Sequence, residues 1–186
     1  MVLVGKLNSE IVELIHQGGG VAVGLTGSDG NMIQVTRRTE GEHDLGRVGR
    51  VTRVEPAPID AVVSAGFVPV VAPIGVDESG MTYNVNADEV AGAVAQALRA
   101  EKLILLTDVE GVKGAEGELL PVLSVEQARK HISEGTIRDG MIPKVQCCLH
   151  ALERGVARTH IIDGRVVHAV LLEIFTDDAG VGTLLA

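Results

Sequence analysis

Aromatic residues make up only 2% of this 186-residue chain, with one Tyr, two Phe and no Trp, so any core it builds must be aliphatic. Positive charge is also scarce. Lys and Arg total 16 against 25 Asp and Glu, a formal net charge of −9. That balance excludes nucleic-acid binding or adhesion to anionic membranes as the main task, because both need a basic footprint. The only cysteines are Cys147 and Cys148. Adjacent residues in a helical pattern point in different directions, which disfavours a disulfide pair or a zinc site and leaves two buried thiols in a reducing compartment. No apolar run approaches the ~20 residues of a membrane span, and the opening Met-Val-Leu-Val-Gly is too short for a signal-peptide core. A cytoplasmic protein is expected.

What is present is aliphatic and glycine-rich: 46% hydrophobic residues and 23 Gly. This composition suits an α/β sheet covered on both faces, and the length suits one compact unit. Leu7, Ile11, Leu14 and Ile15 recur at helical spacing, with Asn8 or Ser9 available as an N-cap and Gly18-Gly19-Gly20 as a stop. A strand over 21–25 and a turn at 27–30 follow. Two alternating stretches, 32–37 and 49–54, read as an exposed antiparallel hairpin around a charged loop, an excursion from the main sheet. From residue 58 the rhythm is regular: helix 59–65, strand 67–72, turn 77–80, helix 87–100, strand 102–107, helices 124–134 and 142–154, strand 159–163, helix 169–175 and strand 182–185. Alternating strands and helices imply a parallel sheet. Ser124 and Gln127 fit a capping box.

Ligands of open parallel sheets bind at the carboxyl ends of strands, which directs attention to three segments. Thr107-Asp108-Val109-Glu110-Gly111-Val112 leaves the apolar run 103–106; on its own, such a turn also ends strands for purely structural reasons. Asn84-Val85-Asn86-Ala87-Asp88 enters a helix. One cap needs one side chain, so three alternate polar residues point to a cleft where amides orient a substrate and a carboxylate orients cations. The third segment, Gly135 to Val145, places Lys144 near a helix N-terminus. A lysine there opposes the helix dipole unless an anion is present, and a phosphate would satisfy both.

These segments, in this order and spacing, resemble the acetylglutamate kinases of the amino acid kinase family. The likeness extends from Val4-Gly5-Lys6-Leu7-Asn8 to Ile161-Ile162-Asp163-Gly164-Arg165 and Phe175-Thr176-Asp177. It implies an α/β three-layer sandwich with a mainly parallel central sheet and a β-hairpin excursion. It also implies transfer of the ATP γ-phosphate to the γ-carboxylate of N-acetyl-L-glutamate in arginine biosynthesis, with Mg2+ accompanying ATP. Lys144 then corresponds to the lysine that stabilises the transferring phosphoryl group, Asp88 to the organiser of catalytic lysines, and Asn84, with Asn86, to the substrate amides. Residues Asp108 to Lys113, after Thr107, correspond to a loop along the nucleotide, and Thr136, Ile137 and Arg138 to a second nucleotide contact. No metal-ligating side chain is assigned. The resemblance further implies a homo-oligomer and, from residues 168–176, arginine as a possible inhibitor meeting Glu173, a residue that otherwise reads as a solvated helix face.

Family members also carry a Lys-x-Gly-Gly strand, a His-Gly-Gly-Gly loop and a substrate arginine; none is found here. His16-Gln17-Gly18-Gly19-Gly20 follows a helix and reads as its stop. The abrupt hydrophobic start fits a single unit corresponding to the C-terminal, nucleotide-binding two-thirds of such a kinase, with the N-terminal substrate-binding portion absent. Little turnover and retained nucleotide binding are expected of it. The alternatives are a non-catalytic ATP-binding or regulatory module and a kinase for a related amino acid.

Overall fold

The computed structural model describes residues 2–39, 45–175 and 180–186. Met1, part of the charged hairpin loop, and Thr176 and Asp177 lie outside the described residues. The chain forms two compact units, Met1–Ala97 and Leu98–Ala186.

In the first unit a π-helical turn, Val2–Leu7, runs directly into α1, Asn8–Gln17. Leu7 is already in the right-handed helical region, so neither Asn8 nor Ser9 acts as the expected N-cap. Asn8 is instead buried, and its amide donates to the Val70 carbonyl at 2.8 Å. The glycines stop the helix as expected, Gly19 adopting φ 85°. The Ala22 amide donates to His16 Nε2 at 3.0 Å, fastening the helix end to the following strand.

That strand, β1 (Ala22–Thr26), is followed by β2 (Ile33–Arg37), β3 (Gly49–Val54), α2 (Ala57–Ser64) and β4 (Val68–Ala72). β1 and β4 pair in parallel, Ala22 opposite Val68. β2 and β3 form the expected antiparallel hairpin. One of its faces is not exposed: Ile33 and Val35 are buried, and β2 also pairs in parallel with β5 (Ile74–Val76), which turns back into β6 (Thr82–Asn84). The turn was legible, since Asp77 Oδ1 accepts the Ser79 and Met81 amides. Three-residue strands are too short to show a period. Helix α3 (Ala87–Ala97) lies against β3, where Glu89 Oε1 accepts the Val51 amide at 2.7 Å.

The second unit contains β7 (Lys102–Thr107), β8 (Val122–Leu123), α4 (Val125–Ser133), α5 (Met141–Glu153), β9 (Arg158–Asp163), α6 (Ala169–Phe175) and β10 (Gly182–Leu185). The strand order is β7-β9-β10-β8. β7 pairs with β9 and β8 with β10 in parallel, while β9 and β10 are antiparallel. The α/β class with parallel pairing is thus as expected, and the antiparallel β10 is what the rhythm did not reveal. The capping box is present in full: Ser124 Oγ accepts the Gln127 amide and Gln127 Oε1 accepts the Ser124 amide. The core is aliphatic, with Val112, Val145, Ile161, Ile162 and Leu185 fully buried beside Cys148. Cys147 is half-buried. No helix among the described residues is long and apolar enough to cross a membrane.

Candidate functional site

β7 and β9 run parallel and in register, with Thr107 beside Asp163, so the loops after them leave the same edge of the sheet. The Gly164 amide donates to the Thr107 carbonyl at 2.8 Å. Thr107 Oγ1 lies 3.3 Å from Asp108 Oδ1. Three residues on, Gly111 takes φ 145°, a value that side chains disfavour, and a β-carbon there would lie 2.7 Å from Thr183 Oγ1. The loop can therefore press onto β10. Lys113 Nζ sits 3.2 Å from Glu110 Oε2 across exposed surface, a pair that contributes little to stability but sets the local charge.

The second segment is held by α4. The Thr136 and Ile137 amides both donate to the His131 carbonyl, at 2.9 and 3.1 Å, and Ile137 is buried beneath them. Arg138 Nε donates to the Gly135 carbonyl. α5 then starts from Gly140, which has no side chain to cap the first turn, and Asp139 stands one residue earlier at φ 47°. Lys144 is half-buried in the helix's first turns. The Met141 and Ile142 amides donate instead to the Arg138 and Asp139 carbonyls, at 3.1 and 3.2 Å.

Between these segments lies a cavity of about 210 Å³. Val109, Gly111, Val112 and Lys113 line one side, Thr136, Ile137 and Arg138 the other, and Met141 completes it. Thr107, Asp108, Glu110 and Lys144 do not line it. A hollow of about 230 Å³ among Arg129, Ile132, Gln146, Leu149, His150 and Glu153 contains none of the expected residues.

Asn84, Asn86 and Asp88 belong to the first unit. Asn86 is the cap of α3: its Oδ1 accepts the Asp88 amide at 2.9 Å and the Glu89 amide at 3.2 Å. Asn84 ends β6 with an exposed side chain, its backbone amide donating to the Arg47 carbonyl. Asp88 is half-buried in the first turn of the helix.

Two features escaped the sequence reading. Arg165 grips Asp163 through Nε at 2.9 Å and Nη2 at 2.7 Å, which holds the Asp163 carboxyl well below its usual range, at about 2. The same guanidinium also feels Asp108 and Glu110. Residues 163–165 were conspicuous in the sequence, but nothing in the pattern linked them to the loop after β7. Glu173, in turn, is no solvated face. It is 1% exposed, with Oε2 accepting the Val181 amide at 3.3 Å.

Comparison with known proteins bears on what this arrangement is for. Residues 1–163 match the model of the amino acid kinase family. Over its whole length the chain is 52% identical to an acetylglutamate kinase of Moorella thermoacetica, covering 66% of that protein. It is 53% identical to an acetylglutamate kinase of Hydrogenovibrio crunogenus, covering 65%. The chain thus spans just under two-thirds of the length of these curated relatives. Among solved structures, N-acetylglutamate synthase from Neisseria gonorrhoeae complexed with coenzyme A and N-acetyl-glutamate is 25% identical with a TM-score of 0.85, over 98% of this chain and 41% of that one. With a family match over residues 1–163 and relatives about half identical along its whole length, the chain belongs to the amino acid kinase family.

Proposed function

We propose that the chain supplies the nucleotide-binding part of an acetylglutamate kinase, which phosphorylates the γ-carboxylate of N-acetyl-L-glutamate with ATP in arginine biosynthesis. The observation that carries this reading is the 210 Å³ cavity, which joins residues 109–113 to residues 136–138. Its apolar floor of Val112 and Ile137 suits a base, while Lys113 and Arg138 suit anionic or polar groups at the rim. The named relatives support N-acetyl-L-glutamate over glutamate, aspartate or carbamate as acceptor.

In the reaction a carboxylate oxygen attacks the γ-phosphorus, the bond to the β,γ-bridging oxygen breaks, and ADP leaves. The acceptor is already ionised at neutral pH, so no strong base is required. Positioning and charge stabilisation carry the rate. Lys144, at the start of α5, stabilises the transferring group; Asp88 organises the cations around it; Asn84 orients the acceptor, with Asn86 occupied in capping α3. Mg2+ arrives on the nucleotide. Such a metal is bound chiefly by phosphates and water. The working protein is a cytoplasmic homo-oligomer, with arginine as a candidate inhibitor.

The deciding experiment is calorimetric titration of the 186-residue chain with MgATP, followed by an ADP-release assay with N-acetyl-L-glutamate in a chain extended to the length of its relatives. Saturable ATP binding and acceptor-dependent ADP release are expected; absence of ATP binding would sink the reading. A second reading, a non-catalytic effector module, draws support from the likeness to a synthase. ATP binding with no ADP release by the extended chain would favour it.

A further inference from the structure

The nucleotide loop is fastened from behind by a single hydroxyl. Thr183, in β10, is 1% exposed, and its Oγ1 makes two bonds whose directions chemistry dictates. It donates its one hydrogen to the Leu120 carbonyl at 2.8 Å and accepts the Val112 amide at 2.8 Å. Those two partners are the ends of one loop, which the Leu120 amide also closes on the Val112 carbonyl at 2.9 Å. Gly111 lies so close that a β-carbon would meet Thr183 Oγ1 at 2.7 Å and Thr183 N at 3.2 Å. Gly111 and Val112 line the 210 Å³ cavity on their other side.

We infer that Thr183 is a positioning residue for nucleotide binding: its hydroxyl fixes the height and orientation of the Gly111-Val112 backbone that forms one wall of the cavity. This rests on the nucleotide reading of that cavity. Thr is suited to the task because valine has the same shape but can neither accept from Val112 nor donate to Leu120, which leaves the buried Val112 amide without that partner.

The test is MgATP titration of the parent chain, T183V and T183S, well below each protein's unfolding temperature, with amide hydrogen exchange at Val112 read by NMR. T183V is expected to weaken ATP binding roughly tenfold and to speed exchange at Val112. T183S keeps the hydroxyl and is expected to hold ATP within about twofold of the parent, a rescue that loss of packing alone would not produce. Parent-like ATP affinity in T183V overturns the inference while leaving the nucleotide reading intact. If T183V does not fold, T183S decides: a tenfold loss with the hydroxyl retained overturns it, and parental affinity supports it. Failure of the parent chain to bind ATP removes both.

Discussion

His160 Nδ1 lies against Glu173 Oε1 inside the second unit, both side chains almost wholly removed from solvent. Burial holds the imidazole below its ordinary value of 6.5, outweighing the pull of the Glu173 carboxylate, and Lys102 and Arg158 push it the same way. Because the folded chain refuses a proton that the unfolded chain accepts, stability is complete above pH ~6.5 and falls as the pH drops below it. Urea midpoints at about pH 7.5 and about pH 5.5 are expected to differ, and H160Q should flatten the difference. Equal slopes in the two proteins would remove His160 as the cause.

The two asparagines before α3 should separate by phenotype. N86A removes the side chain that accepts two helix amides, and a stability loss of about 1 kcal/mol is expected, with N86D close to the parent. N84A should leave the unfolding midpoint unchanged and raise KM for N-acetyl-L-glutamate in the extended chain. A cap-like loss in N84A, or none in N86A, would reverse the assignment.

Lys144→Ala in the extended chain should lower kcat roughly a hundredfold or more, with ATP affinity within about threefold. Loss of affinity without loss of turnover number would move Lys144 from the transferring phosphoryl group to simple nucleotide binding.

G111A is expected to be costly although it adds only a methyl group. The residue takes φ 145° and has Thr183 Oγ1 and Leu119 Cδ1 within 2.8 Å of the added carbon. A destabilisation of about 1–3 kcal/mol, with weaker ATP binding, would be seen by denaturation and titration. A neutral variant would mean that the loop relaxes without effort.

Lengthening the chain should matter more to chemistry than to ATP. Little acetylglutamate-dependent ADP release is expected from the 186 residues, together with ATP affinity near that of the extended chain. Turnover equal to that of the extended chain would contradict this.

Local signals in the sequence were strong wherever a structural element is long or chemically punctuated. The span of α1, its glycine stop, the Ser124–Gln127 box, β7 and the C-terminal pair of α6 and β10 follow from propensity and local punctuation over a few neighbouring residues, although Leu7, Ile11 and Leu14 of the α1 period are exposed. The two segments that line the cavity stood out for the same reason, as glycine and polar residues interrupting apolar runs. Tertiary structure decided what depends on partners far apart in the chain. Asn8 became a brace to Val70 instead of a cap, and Asn86 was chosen over its neighbours as the cap. Glu173 went inside against His160. Thr183 reached 71 residues back to hold Val112. A side chain's hydrogen-bond partner is set by which backbone groups folding leaves unsatisfied nearby, and that is known only once distant strands have been brought into register.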